Sequence, residues 1–155
     1  MILTPTNRSL CFPFKTRVGL SQGFGPVAKC YTNNGYAGHF GLDFLTTWKT
    51  PILAVDDGQV SRVGHTTGNG NFIELRHIWG YSLYLHFAEP PTAKMNEHII
   101  RGQQIGLAGN TGAVFPLPTK IRPLAGTHLH FSIKINGMKN PAYKDYVDPT
   151  PFLPY

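Results

Sequence analysis

Four of the seven histidines fall into close-spaced patterns or onto a polar strand face: His39-Phe-Gly-Leu-Asp43, His86, and His128-Leu-His130. Two neutral imidazoles and one carboxylate make a three-ligand zinc site with a fourth position open, where water is acidified towards neutral pH and becomes a nucleophile. Such a site is hydrolytic. Either pattern alone arises readily by chance in a chain of this composition; together they carry more weight. The same side chains also admit a buried polar network, or a closed zinc site in which His128 and His130 are both ligands, and spacing does not choose between these. His65, His77 and His98 have no acidic or histidine neighbour at ligand spacing and read as solvated surface imidazoles.

These side chains need particular elements to bring them together. Residues four apart in a flat strand lie about 13 Å apart, so the chain must bend between His39 and Asp43, and Gly41 is placed to permit it. His128 and His130 share a strand face at roughly 6 to 7 Å, close enough for one to bind a metal while the other stands beside it. Strand signals start at Gly41 and recur at short intervals between turn residues, the pattern of a mainly β, antiparallel two-sheet or open-barrel domain. A hairpin is expected over 51–64, turning at Asp57-Gly58, and a second from 72–78 and 81–87, joined near Gly80. In the strand 81–87, alternation puts Leu83, Leu85 and Phe87 towards the core and Ser82, Tyr84 and His86 on the polar face. In the last strand Leu129, Phe131 and Ile133 face the core, and His128, His130, Ser132 and Lys134 face away.

Composition agrees with one compact domain of 21–155 carrying an irregular N-terminal arm of 1–20. Gly and Pro (17 and 13 residues) interrupt long helices, while 10 Phe, 7 Tyr and 2 Trp argue against disorder. A chain this long buries roughly two-thirds of its unfolded surface, so neither a disulfide nor a structural metal is needed and any metal should serve chemistry. Cys11 and Cys30 match no zinc or redox motif, and whether they pair is open. The formal charge of +6 favours polyanionic surroundings without naming a partner. The basic residues are scattered rather than striped, so no nucleic acid is expected. No apolar run of about 18 residues is present, so no membrane insertion is expected, and no export signal is visible in the first 20 residues. Monomer is the default.

Ordered motifs then extend along the chain: Ser21-Gln-Gly-Phe-Gly25, Gly38-His-Phe-Gly-Leu-Asp-Phe44, Thr50-Pro-Ile-Leu-Ala-Val-Asp-Asp-Gly-Gln-Val60, Gly70-Asn71, Tyr84-Leu-His86, Gly102-Gln-Gln-Ile-Gly106, Gly109-Asn-Thr-Gly112, His128-Leu-His-Phe131 and Val147-Asp-Pro149. Over about 130 of the 155 positions the chain resembles the lysostaphin-type zinc endopeptidases, which cleave peptide bonds in bacterial peptidoglycan and include cell-wall remodelling enzymes and phage lysins. The resemblance implies their duplicated hybrid motif fold, with one catalytic zinc held by His39, Asp43 and His130 and with His86 and His128 beside the attacking water. It also implies peptidoglycan as partner, and action at the cell wall or periplasm. With no visible export signal, a phage-encoded enzyme is expected. Some family members use a tyrosine upstream of the first ligand at the oxyanion, a part open to Tyr36 or Tyr31.

Two positions depart from the family pattern. Ser132 stands where an acidic or amide residue is common, which is expected to weaken support of a ligand imidazole. The apolar and basic segment 113–127 is longer than expected and should border the cleft and shape substrate choice. The competing readings are a non-hydrolytic binding or regulatory module of the same fold, whose members usually lack a ligand or catalytic histidine, and a nucleic-acid binder supported only by net charge.

Overall fold

The structure, a computed structural model, describes residues 10–154. Ten strands form in the order β1 (Leu20–Gln22), β2 (Leu42–Leu45), β3 (Pro51–Leu53), β4 (Gly58–Thr66), β5 (Gly70–His77), β6 (Gly80–Phe87), β7 (His98–Ile99), β8 (Gln104–Leu107), β9 (His128–Ile135) and β10 (Tyr146–Val147). Among the described residues helix is confined to α1 (Lys29–Asn33) and short 3-10 turns such as Pro141–Tyr143 and Thr150–Phe152. The large antiparallel sheet runs β1-β2-β9-β6-β5-β4-β7, with β10 following β2 along one edge of β9; β3 and β8 make a separate small sheet. The end strands β1 and β7 do not pair with each other, so the sheet stays open rather than closing into a barrel.

The main core lies between one face of the large sheet and the small one. Phe44, Leu129, Phe131, Ile133, Tyr84 and Leu75 from the first meet Ile52 and Ile105 from the second, all buried. Leu10 and Phe14 close this core, with Leu10 N–H bonded to Phe152 O and Cys11 N–H to Val55 O. Residues 10–19 are thus an irregular segment laid on the sheets; residues 1–9 of the expected arm lie outside the described residues. Cys11 and Cys30 are both free thiols.

The expected 72–78/81–87 hairpin forms as β5 and β6. The expected hairpin over 51–64 does not. β3 pairs with β8, some fifty residues on, and β4 pairs with β5. The Asp56-Asp57 stretch serves as a crossing between the sheets: Trp79 Nε1–H donates to Asp56 Oδ2 at 3.0 Å, and Arg101 N–H to Asp57 Oδ1 at 2.8 Å. Those tertiary bonds outweigh the local turn preference of Asp-Gly.

Alternation in β6 is also reassigned. Ser82 and Tyr84 face the main core, while Leu83 and Leu85 join Phe72 and Tyr146 in a second cluster on the opposite face. Polar Ser82 and the Tyr84 hydroxyl are tolerated because they are bonded. Val55 N–H donates to Tyr84 Oη at 3.0 Å, Ser82 Oγ–H donates to the same oxygen, and Ser82 Oγ also meets His77 Nε2 at 2.7 Å. His77 is therefore buried and stacked on Trp79, not solvated as its spacing suggested, and burial lowers its pKa. His65 and His98 are exposed as expected. Tyr84→Phe leaves Val55 N–H unpaired in the core and should cost about 1–3 kcal/mol, read as a lower urea midpoint with an unchanged slope.

Candidate active site

β2 and β9 are paired in a register that sets Asp43 directly opposite His130 and Leu45 opposite His128. All of these side chains except the core-facing alternates Leu42, Phe44, Leu129 and Phe131 point to the face away from the main core. His39 comes from the segment just before β2, turned back so that its ring reaches the Asp43 carboxylate: Nε2 lies 3.1 Å from Asp43 Oδ1 and 3.0 Å from His130 Nδ1. His130 Nδ1 lies 2.9 Å from the same Oδ1. Gly41 permits this for a reason of space, since a Cβ there would sit 2.6 Å from Ser132 Oγ and 2.8 Å from His130 Nε2.

The outer ring nitrogens are held as well. His39 Nδ1 lies 2.7 Å from Gly23 O, which can only accept, so Nδ1–H donates there. His130 Nε2 lies 2.7 Å from Ser132 Oγ, a hydroxyl able to donate or accept. Burial pushes the His130 pKa down against the pull of Asp43, which keeps that ring neutral. Burial also opposes a charge on Asp43, but the neighbouring His130 and His39 outweigh it and hold the carboxyl well below the usual carboxylate range. Three buried ligand atoms, His39 Nε2, Asp43 Oδ1 and His130 Nδ1, thus lie within 3.1 Å of one another, an arrangement that a shared cation fits. Tetrahedral ligands 2.0–2.1 Å from zinc stand about 3.3 Å apart, close to the separations found here. Among the described residues this is the only trio of His, Cys, Asp or Glu side chains close enough to share an ion.

His86 and His128 stand beside the trio, their rings 4.7 Å apart. Each Nδ1–H donates to a backbone carbonyl at 2.8 Å, His86 to Thr111 and His128 to Gly126, which leaves each Nε2 as the nitrogen the backbone does not engage. His128 Nε2 lies 3.7 Å from Asp43 Oδ1. Strict alternation would send His86 into the main core with Ser82 and Tyr84. Instead it adopts a left-handed backbone (φ 67°) within an irregular stretch of the β5–β6 ladder, which brings it to the His130 face and returns Phe87 to the core. A non-glycine residue in that conformation costs about 1 kcal/mol, a strain of the kind retained at functional sites. Burial, then the nearness of His128 and His130, holds the His86 pKa down at about 3, so the ring is a neutral acceptor at pH 7.

Asp43, His86, His128 and His130 line the floor of a cleft of about 1110 Å³, and His39 lies fully buried behind them. One part of its wall is Val114, Phe115, Pro116 and Leu117 of the 113–127 segment, which borders the cleft as expected; another is Tyr31, Asn34, Tyr36 and Lys144. Asn110 pins the segment through bonds to Pro123 O and Ala125 O. Tyr31 packs 5.2 Å from the His39 ring, whereas Tyr36 is stacked on Phe40.

The family model described as Peptidase family M23 matches residues 37–142, which contain all five side chains. The chain belongs to peptidase family M23. Among solved structures, the catalytic domain of the antimicrobial peptidase lysostaphin from Staphylococcus simulans superposes with a TM-score of 0.68 at 26% identity, covering 87% of this chain and 91% of that domain. The peptidoglycan DD-endopeptidase ShyC of Vibrio cholerae is 33% identical over 124 residues, 79% of this chain and 26% of its own length. An uncharacterized metalloprotease of Haemophilus influenzae is 30% identical over 128 residues, 81% of this chain and 25% of its own. The chain therefore spans about a quarter of the length of these curated relatives.

In this M23 domain all five predicted side chains meet at one place. Sequence reasoning missed the backbone groups that orient them, the carbonyls of Gly23, Thr111 and Gly126, which carry no side-chain signal. Ser132, expected to give weaker support to a ligand imidazole than an acid or amide, is fully buried with its Oγ 2.7 Å from His130 Nε2. β9 permits that contact by placing it two residues along on the same face. Ser132→Ala should weaken zinc binding about 10- to 100-fold in a chelator competition while leaving the far-ultraviolet circular dichroism unchanged.

Proposed function

We propose that this chain is a zinc-dependent endopeptidase that hydrolyses peptide bonds in bacterial peptidoglycan, at the cell wall or in the periplasm, with His39, Asp43 and His130 as ligands and His86 and His128 as catalytic residues. The observation that carries it is the convergence of three buried ligand atoms beside two imidazoles, each oriented by a backbone carbonyl, in one cleft. Membership of family M23 and the peptidoglycan endopeptidases among the relatives support the substrate class.

Zinc bound by the trio supplies Lewis-acid polarisation of a carbonyl and acidification of water. The chain's own groups supply the rest. His128 Nε2 and His86 Nε2 are left over from the ligand set, and each ring is oriented through its Nδ1–H by a backbone carbonyl. His128 accepts the proton and then donates it to the oxyanion or the leaving amine, while His86, held neutral by burial, orients the attacking water by accepting its hydrogen bond. Asp43 is committed to the ligand set and His86 and His128 stand beside the metal position, so hydrolysis proceeds by direct attack of water rather than through a covalent intermediate. Tyr31 keeps its proton, since burial pushes its phenol up to about 12; it packs against the His39 ring and donates to Gln22 Oε1 at 3.1 Å, a bond it would exchange to donate to developing charge. The walls around this floor exclude bulk water and hold the peptide across it.

Zinc-loaded protein should release new amino groups from purified sacculi, and chelation should abolish the release. His128→Ala should lower the rate about 10²- to 10⁴-fold while zinc is retained, because it removes a proton-transfer group and no ligand. Stoichiometric zinc binding without amine release from several wall types would make the domain a binding module instead. The formal charge of +6 predicts that release falls as salt is raised from about 0.05 to 0.3 M, measured by turbidity of purified walls; no salt dependence would remove charge from the account.

A further inference from the structure

Besides the zinc-site residues, the cleft's described lining contains a single formally charged side chain, Lys144. It differs from an ordinary surface lysine in being held at its head, its stem and its backbone. Its ammonium donates to Asn34 O at 2.7 Å and rests over the Tyr36 ring, 4.2 Å from the centroid. Tyr36 stacks on Phe40 (4.3 Å, 16° between planes), and Phe40 packs 4.6 Å from the His130 ring. A continuous run of ring contacts therefore fixes the cation relative to a ligand of the metal site. The stem passes close over Gly35, where an added Cβ would lie 3.7 Å from Lys144 Cε.

The backbone is specialised as well. Lys144 and Asp145 are consecutive non-glycine residues in the left-handed region, with φ of 51° and 69°. The turn that contains them is secured by Asn140 N–H donating to Asp145 Oδ1 at 3.0 Å, and by Asp145 N–H donating to Asn140 O at 2.9 Å. Conformations of this kind persist where the surrounding structure over-determines them, and they concentrate at ligand-holding sites. Among the described residues no carboxylate pairs with Lys144; the ion pairs of the other lysines are Lys49 with Glu89 and Lys139 with Asp145. An ammonium has three N–H donors, and Asn34 O takes one. The cation is thus pre-positioned in the cleft with donor capacity to spare.

We propose that Lys144 is a specificity-determining residue that receives a free carboxylate of the peptide substrate, so that the enzyme selects acidic over amidated stem peptides. The inference rests on the peptidase reading above and names the chemistry its cleft selects. A carboxylate meeting a held ammonium gains a charge-assisted hydrogen bond without paying to order the lysine, whereas a carboxamide gains only a neutral one.

The test uses zinc-loaded protein and a matched pair of cross-linked peptidoglycan peptides, one with its free carboxyl groups and one with them amidated. Cleavage is followed by amine release, and binding by calorimetry on the His128→Ala protein with and without Lys144→Met. The wild type should prefer the acidic peptide in kcat/KM, Lys144→Met should reduce that preference about fivefold, and Lys144→Arg should restore much of it. An equal effect of Lys144→Met on both peptides, or no effect on either, overturns the proposal. If neither peptide is cleaved, the endopeptidase reading fails for these substrates, and calorimetry still decides the role of Lys144: selective binding lost in Lys144→Met supports it, and unselective or absent binding overturns it.

Discussion

The buried carboxylate of Asp43 is the constraint around which the rest of this domain is arranged. A carboxylate in the interior is tolerated only with partners, and here the nearest are the imidazoles of His39 and His130. The same three atoms are close enough to share a cation. The β2–β9 register puts His130 opposite the carboxylate, the bend at Gly41 returns His39 to it, and the outer contacts with Gly23 O and Ser132 Oγ orient both rings. Each of those features has a second effect on the fold, since Gly41 must also pass under Phe131 and Ser132, so the site and the sheet packing are the same structure seen from two sides.

The large sheet separates these tasks by face. One face buries Phe44, Phe131, Leu75 and Tyr84 and supplies the stability; the other carries the ligands and, around them, the small cluster of Leu83, Leu85, Phe72 and Tyr146. Because residues on successive positions point oppositely, the rigidity of the core is transmitted directly to the ligand rings through β2 and β9. His86 is the exception that the function requires. Its strand would place it in the core, and a left-handed residue at that one position moves it to the site while leaving Phe87 packed.

The cleft walls are of unlike chemistry. Exposed apolar side chains of the 113–127 segment, Phe115 and Leu117 among them, form one part, and tyrosines with a fixed lysine form another. Loop-borne walls over a floor held by the sheet separate the groups that could bind a ligand's side chains from those that could hold a metal.

Much of the site was legible in the amino-acid sequence. His39, Asp43, His86, His128 and His130 were identifiable from residue type, spacing and ordered motifs, because metal and proton chemistry demands particular side chains and strands repeat every two residues. The β5–β6 hairpin and the outward face of His128 and His130 were legible for the same reason, being consequences of local pattern. The β3–β8 pairing, the burial of His77, the inward turn of Tyr84 and the left-handed His86 were not. Each depends on partners distant in the chain, such as Trp79 on Asp56, Val55 N–H on Tyr84 and Thr111 O on His86, whose energies override alternation and turn preference. Side-chain chemistry was thus written locally. The orientation of each ring, the protons it keeps and the cation poised in the cleft were decided by tertiary contacts, many of them to backbone carbonyls that any residue type would provide.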